Sequence, residues 1–134
     1  MTHSTHRLVL ADDHTIVREG LRLLLSAVPG VEVVGEAADG RSAVQVAVKL
    51  QPDLVVTDLS MPGISGMASI REIKRRCPHT RVLVFTVHRV YEYVSASLSA
   101  GADGYVLKDA GRDELISAVN SLLNGKGYLS PDVA

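Results

Sequence analysis

The sequence predicts an α/β domain with a five-stranded parallel sheet, doubly wound, with helices on both faces. Five short apolar runs recur along the chain, and the stretch between each pair carries apolar residues at helical spacing. The runs are mostly continuous rather than alternating, which is typical of strands buried on both faces. Strict alternation of strand and helix indicates parallel strands joined by right-handed crossovers.

The strands are predicted from runs rich in β-branched residues and bounded by charged or turn residues. The helices are predicted from apolar residues three and four positions apart, followed in most cases by Pro or Gly. Ser65 is a favourable N-cap for the third helix. The predicted strands are Leu8–Ala11, Val31–Ala37, Leu54–Thr57, Val82–Phe85 and Tyr105–Leu107, and the predicted helices lie around residues 17–28, 42–50, 65–76, 89–99 and 115–123.

Length and composition fit one globular domain. The chain has 134 residues, of which 46% are hydrophobic and 22% charged, with a net charge of −1. This charge excludes a general attraction to nucleic acid or to an anionic membrane. The apolar runs are too short to span a bilayer, so no membrane partner is expected. Cys77 is the only cysteine, which excludes an internal disulfide and favours a cytoplasmic location.

The chain is predicted to divide into an N-terminal tail (residues 1–6), the α/β domain (7–124) and the start of a linker (125–134). The last segment contains Gly125, Gly127 and Pro131 and lacks the regular spacing of apolar residues that marks a helix or strand, so it is predicted as a loop. A terminal segment that leads to no further domain is the alternative interpretation.

Polar residues follow four of the five strands. Asp12 and Asp13 end the first strand, Asp58 the third, Thr86 the fourth and Lys108 the fifth. Ligands of open α/β sheets bind at the carboxyl ends of the strands. Crowded carboxylates repel one another, and an oxygen-rich set of this kind favours Mg²⁺. The sequence therefore predicts a magnesium site suited to phosphoryl transfer, with Lys108 and Thr86 beside it.

Each residue also has a structural explanation. Asp12 and Asp13 before a helix are, taken as a pair, more often N-caps, and Asp58 after a strand is more often a turn residue. All of these residues follow the carboxyl ends of predicted parallel strands, and this joint occurrence favours a metal site over the separate structural explanations. His14 is expected to begin the first helix close to the metal, and His88 to line the mouth of the site.

Four segments, in this order and spacing, surround the predicted site: Leu10-Ala11-Asp12-Asp13-His14, Asp58-Leu59-Ser60-Met61-Pro62-Gly63, Val84-Phe85-Thr86 and Gly101-Ala102-Asp103-Gly104-Tyr105-Val106-Leu107-Lys108. With these segments the chain resembles the receiver domain of two-component response regulators from about Arg7 to Leu123. This resemblance implies a flavodoxin-like strand order 2-1-3-4-5 and a phosphorylation-activated switch.

The resemblance also implies a role for each site residue. Asp58 is the phosphoacceptor, which takes the phosphoryl group from a sensor histidine kinase. Mg²⁺ is held by Asp13, Asp58 and the backbone carbonyl of Ser60, with Asp12 acting through a bound water. Lys108 and Thr86 then contact the phosphoryl oxygens. Tyr105 is the switch aromatic, whose side chain alternates between exposed and buried positions.

Residues 108–110 and 127–131 resemble the NarL/FixJ (LuxR-type) subgroup, which implies transcription regulation through a helix-turn-helix domain outside this sequence. DNA binding would belong to that domain. Homodimerisation on phosphorylation is expected, either through the first and last helices or through the face around the fourth strand and fifth helix. Asp109 stands where many members carry proline, so either the family's cis peptide persists at Lys108–Asp109 or Asp109 caps the last helix.

Two other functions remain open. A Mg²⁺-dependent phosphohydrolase is the enzyme alternative, although such enzymes usually carry Asp-x-Asp after the first strand, whereas Asp12 and Asp13 are adjacent. A dinucleotide-binding protein is disfavoured because no Gly-rich loop follows the first strand. The leading interpretation is a switch that catalyses only its own phosphorylation and dephosphorylation and is not an enzyme for other substrates.

The fourth helix is predicted to be the least stable element. Residues 89–99 hold three serines and several β-branched or aromatic residues, which are mediocre helix formers. We expect its backbone amides to exchange with solvent faster than those of the central strands, as measured by hydrogen exchange. Equal protection in both places would contradict this prediction.

Overall fold

The predicted apolar runs form strands that lie side by side in one parallel sheet. The structure is a computed structural model and describes residues 5–133. The order β2-β1-β3-β4-β5 confirms the predicted order. Residues 1–4 of the predicted tail and Ala134 of the predicted linker lie outside the described residues. The strands are β1 (His6–Ala11), β2 (Val31–Ala37), β3 (Leu54–Thr57), β4 (Arg81–Thr86) and β5 (Gly104–Leu107).

Five helices alternate with these strands, as the apolar spacing predicts. Ser65 caps the third, since its hydroxyl accepts a hydrogen bond from the Ala68 amide at 3.2 Å. Asp39 caps the second in the same way, through the Ser42 amide at 2.8 Å. The helices are α1 (Thr15–Ser26), α2 (Gly40–Leu50), α3 (Gly66–Arg76), α4 (Tyr91–Ala100) and α5 (Arg112–Leu123).

The two faces of the sheet bury separate apolar clusters. One cluster joins the sheet to α2, α3 and α4 and includes Ile70, Ile73 and Tyr105. The other joins it to α1 and α5 and includes Leu25 and Leu122. Each fully buried side chain of this size contributes about 1.5–3 kcal/mol to folding. The sheet is therefore fixed from both sides, and its carboxyl edge is held in place for the site.

A short sixth strand lies beyond β5. β6 (Tyr128–Leu129) pairs in parallel with Gly104 and Tyr105 of β5, and a 3₁₀ turn follows at Pro131–Val133. The sequence predicts a loop here, because two residues are too few to show a period. The predicted domain boundary at residue 124 stays a prediction, although part of the predicted linker packs on the sheet.

Within residues 5–133, the helices are all too short or too polar to cross a membrane.

Two glycines give opposite predictions for an added methyl group. A Cβ on Gly66 would lie 2.7 Å from the Leu59 carbonyl oxygen and 2.8 Å from its Cα, and this backbone has no room to move. We expect Gly66→Ala to lower the free energy of unfolding by about 1–3 kcal/mol through overpacking. A Cβ on Gly20 of α1 meets no atom within 4 Å. Gly20→Ala should therefore raise stability by about 0.5–1 kcal/mol through helix propensity.

Urea unfolding of both variants, followed by circular dichroism, measures these changes. A Gly66→Ala protein as stable as the unsubstituted chain would show that the α3 N-terminus moves freely away from Leu59.

Candidate functional site at the carboxyl edge of the sheet

The pairing of β1 with β3 brings two acidic residues to one edge of the sheet. Ala11 and Thr57 are partners in register, and each is followed by an aspartate. The Asp58 amide donates to the Ala11 carbonyl at 3.0 Å, and the Asp12 amide donates to the Ala37 carbonyl of β2 at 3.0 Å. Both aspartate backbones are thus fixed by strand pairing before their side chains make any contact.

Lys108 joins the two carboxylates. Its Nζ lies 2.7 Å from Asp12 Oδ2 and 3.0 Å from Asp58 Oδ2. The side chain of Asp12 is 1% exposed and that of Asp58 is 4% exposed. Carboxylates this buried need a positive partner, because an unpaired buried charge is strongly destabilising. The ammonium is therefore the resting counter-ion of the site.

The contacts of Asp12 and Lys108 determine their protonation states. Burial alone would raise the pKa of Asp12, but hydrogen bonds from Lys108 and from the His14 amide outweigh it and hold the pKa below its usual value. Burial alone would lower the pKa of Lys108, but its bonds to Asp12 and Asp58 outweigh it and raise the pKa. Lys108 and Asp12 therefore stay charged at neutral pH.

Asp13 and His14 extend the acidic cluster toward solvent. His14 Nδ1 lies 3.0 Å from Asp12 Oδ1 and 3.2 Å from Asp13 Oδ1. One ligand atom from each of Asp12, Asp13, His14 and Asp58 lies within 4.8 Å of the others. Asp12 is not a helix cap, since its carboxylate accepts from the His14 amide and α1 begins without a side-chain cap. The cluster has the oxygen-rich composition of a divalent metal site.

Arg18 supports the loop that carries the first two aspartates. Its guanidinium donates to the Asp12 carbonyl at 2.6 Å and to Glu36 Oε1 of β2 at 2.9 Å. The sequence did not single out Arg18, because an arginine inside a helical stretch looks like any solvated residue. The contact depends on α1 packing against β2.

Thr86 and Tyr105 lie in neighbouring strands and are both fully buried. The Tyr105 hydroxyl donates to the His88 carbonyl at 2.6 Å, and its ring is buried. Its role as a switch aromatic stays a prediction. Burial, followed by the nearby charge of Asp58, raises the pKa of Tyr105 to about 12. Tyr105 is thus a neutral donor that ties β5 to the loop after Thr86.

The same loop contacts the loop that follows Asp58. Ser60 Oγ and His88 Nε2 are hydrogen-bonded at 2.6 Å, and the His88 ring stacks on Tyr93 of α4 with centroids 4.4 Å apart. His88 therefore lines the mouth of the site as predicted. The role of the Ser60 carbonyl as a metal ligand stays a prediction.

The segment after Lys108 follows neither of the two predicted arrangements. None of the peptide bonds in residues 5–133 is cis, so Lys108–Asp109 is trans. The N-cap of α5 is Gly111 and makes no side-chain cap bond. Asp109 instead pairs with Arg89 from the loop after β4.

Comparison with known proteins agrees with this geometry. The family model described as the response regulator receiver domain matches residues 8–120. The chain belongs to the response regulator receiver family. It is 38% identical over 127 residues to the transcriptional regulatory protein DegU of Brevibacillus brevis. The aligned residues are 95% of this chain and 54% of that protein. The receiver domain thus spans about half the length of that relative.

Solved receiver domains have the same fold. A two-component response regulator of the LuxR family from Aurantimonas sp. SI85-9A1 matches with a TM-score of 0.92 and 42% identity, over 97% of this chain and 93% of that one. The isolated receiver domain of RcsB from Salmonella enterica serovar Typhimurium, in the presence of the phosphomimetic BeF₃⁻, matches with a TM-score of 0.89 and 34% identity, over 97% and 96%. Another structure contains two RcsB dimers bound to two parallel DNAs. The LuxR-type likeness predicted from the sequence is confirmed.

Removal of the ammonium should destabilise the metal-free receiver domain in a pH-dependent way. We expect Lys108→Gln to lower the free energy of unfolding at neutral pH by about 3 kcal/mol, because it leaves two buried carboxylates without a counter-ion. The folded pKa of Asp12 lies below its unfolded value, so its contribution to stability is present above about pH 4 and is lost as the pH falls. The difference between the two proteins should therefore narrow in acid.

Denaturant unfolding from pH 7 to pH 3, without metal, measures this difference. Lys126→Gln, at an exposed lysine, is the control and should change little at any pH. A Lys108→Gln protein whose deficit is the same at pH 7 and pH 3 would contradict the electrostatic explanation.

Proposed function

We propose that the receiver domain takes a phosphoryl group from a sensor histidine kinase onto Asp58 in a Mg²⁺-dependent reaction, and thereby controls transcription. The observation that carries this proposal is the environment of Asp58. Its carboxylate lies at the open end of β3, 3.0 Å from the Lys108 ammonium and inside the cluster of Asp12, Asp13 and His14. A carboxylate held between an ammonium and a metal-type cluster is suited to act as an acceptor.

The transfer forms one bond and breaks one. An oxygen of Asp58 bonds to phosphorus while the phosphorus–nitrogen bond to the kinase histidine breaks, and the imidazole keeps the electron pair. The protein has little covalent chemistry to perform, so positioning and charge neutralisation supply most of the rate enhancement. Asp58 Oδ1 accepts a hydrogen bond from the Leu59 amide at 2.7 Å, which orients the carboxylate for attack.

The residues present fit a Mg²⁺ ion. Asp12, Asp13 and Asp58 supply carboxylate oxygens whose ligand atoms already lie close together, and the Ser60 carbonyl lies two residues after Asp58 in an exposed loop. In this family a bound Mg²⁺ supplies charge neutralisation at the transferring phosphoryl oxygens. Lys108 binds Oδ2 of Asp12 and of Asp58, and Oδ1 of each carboxylate accepts a backbone amide, so a metal ion would share these oxygens with their present partners or replace Lys108.

The new phosphoryl group changes which partners Lys108 and Thr86 prefer. It adds nearly two negative charges and three acceptor oxygens, so it draws Lys108 away from Asp12 and attracts the Thr86 hydroxyl. Among residues 5–133, that hydroxyl has one weak partner, the His88 amide at 3.4 Å. The loop after Thr86 is joined to Tyr105 through His88, so a movement of Thr86 reaches the α4–β5 face.

The domain is proposed to turn over no external substrate. It would accelerate its own phosphorylation and dephosphorylation, with water attacking phosphorus and Asp58 leaving as the carboxylate. In the phosphohydrolase alternative the nucleophile follows the first strand as part of an Asp-x-Asp pair, whereas here Asp12 and Asp13 are adjacent and the acceptor candidate Asp58 follows the third strand. This arrangement favours the switch.

The output is proposed to lie in a DNA-binding domain that follows residues 125–134, in a cytoplasmic protein. The coverage of DegU, a transcriptional regulatory protein, at 54% of its length supports a longer architecture. Homodimerisation on phosphorylation is also proposed, and the RcsB dimers on DNA support it. Large apolar side chains are exposed on α1, which belongs to the first predicted face, at Ile16 and Leu23, and also on α4, at Tyr91 and Leu98.

Stoichiometric labelling of Asp58 tests the proposed function. We expect intact-mass spectrometry after treatment with acetyl phosphate and Mg²⁺ to show one added phosphoryl group, which Asp58→Asn abolishes because an amide oxygen is a poor nucleophile. Asp113→Asn, at an exposed carboxylate of α5, should still be labelled. Steady release of phosphate from small phosphomonoesters, undiminished in Asp58→Asn, would support the phosphohydrolase and reject the switch.

A further inference from the structure

Residues 128–133 form a segment, called here the strap, that lies along the outer edge of β5. Tyr128 packs against the apolar cluster shared with α1 and α5, and Val133 packs against the cluster on the other face that includes Tyr105. Between them, Ser130 is 2% exposed. The strap therefore closes both faces of the sheet at its open edge rather than leading away into solvent.

Ser130 connects the strap to the strand that carries the functional residues. Its amide donates to the Tyr105 carbonyl at 2.9 Å, and its hydroxyl accepts from the Leu107 amide at 3.1 Å. The next residue, Lys108, donates its own amide to the Thr86 carbonyl at 2.8 Å. The strap is thus bonded to β5 at the switch aromatic and immediately before the lysine.

One carboxylate clamps the strap onto α5. Glu114 Oε2 accepts from the Ser130 hydroxyl at 2.8 Å and from the Tyr128 hydroxyl at 2.9 Å. The Ser130 hydroxyl donates to Glu114 and accepts from Leu107 at the same time, so a single side chain joins α5 to β5. Hydrogen bonds to a charged acceptor of this kind are stronger than those between neutral groups.

A second contact reaches the strap from the loop after Thr86. Arg89 lies three residues beyond Thr86 and pairs with Asp109. Its Nη1 also lies 3.3 Å from Oδ2 of Asp132 in the strap. These groups are exposed, so the ion pairs contribute little stability by themselves. They show that the phosphate-sensing loop and the strap share one surface.

We propose that the strap responds to the state of the acidic site, with Glu114 as the positioning residue that couples strap docking to phosphorylation of Asp58. This inference rests on the proposed function. Ser130 is bonded to Tyr105 and to Leu107, the residue before Lys108, so the rearrangement of Lys108 and Thr86 on phosphorylation acts directly on the strap contacts, and its expected direction is toward the docked strap. Because energetic coupling is reciprocal, loosening the strap must weaken the site's affinity for a phosphoryl mimic by the same factor.

Amide exchange and mimic binding on the full chain test the coupling together. We expect beryllofluoride with Mg²⁺ to slow exchange of the Ser130 and Leu107 amides about 5-fold or more, as measured by NMR. Glu114→Ala should speed exchange of both amides without the mimic and weaken beryllofluoride binding by a similar factor. Glu114→Gln keeps an acceptor oxygen and should restore most of the affinity.

Asp113→Ala is the matched control, because Asp113 lies in the same first turn of α5 and has the same interaction with the helix dipole. It should leave both measurements unchanged. Tyr128→Phe removes one bond to Glu114 while keeping the ring, and should have an intermediate effect.

Four results would overturn the inference. Equal mimic affinity in Glu114→Ala and Asp113→Ala would make the strap purely structural. Faster Ser130 exchange in the presence of the mimic would assign the docked strap to the empty site. Failure of the unsubstituted chain to bind beryllofluoride would reject the proposed function as well, whereas binding without any change in the strap rejects the inference alone.

Discussion

The arrangement of the site depends on one ammonium group held between two buried carboxylates. At an effective dielectric constant near 20, each of these contacts is worth about 4 kcal/mol of Coulomb energy at 4 Å, most of which offsets the cost of burial. Lys108 therefore makes the crowding of Asp12 and Asp58 tolerable without dominating the stability of the domain. In the proposed function, a metal ion and a phosphoryl group would compete with Lys108 for these carboxylates. Partners would then be exchanged rather than lost, so the proposed switch would need only a small net free energy in either direction.

The fold was largely predictable because its information is local. β2 and β3 were predicted with the bounds that the structure has. β3 is buried along its whole length, as a continuous apolar run ended by a charged residue predicts, whereas β2 is an edge strand that is only partly buried and carries Glu32 and Glu36. β6 was not predicted, because a strand of two residues carries no period and its flanking glycines indicate a loop. What holds β6 is a long-range contact, the bond of Ser130 to Tyr105, which no window of the sequence contains.

The candidate site divides in the same way. Asp12, Asp13, Asp58, Thr86 and Lys108 are predictable because the ends of parallel strands meet at one edge, so position along the chain implies position in space. The residues that orient them are not predictable from such a rule. Arg18 reaches the Asp12 carbonyl only through the packing of α1 on β2, and Asp109 turns to Arg89 instead of capping α5. Both contacts are made by long flexible side chains, which the sequence pattern does not constrain.

The edge of a parallel sheet is a suitable place for a signal to leave the domain. The central strands are paired on both sides and covered by helices, so shifting them would cost many contacts at once. Within residues 5–133, β5 has on its outer side only the strap, held by a few hydrogen bonds and two partly buried side chains, so a segment of low local stability lies next to the proposed phosphate site. A difference of about 1–3 kcal/mol between docked and released strap is enough to change its population several-fold or more. In the proposed function, the exchange of partners at Lys108 would be the source of that free energy.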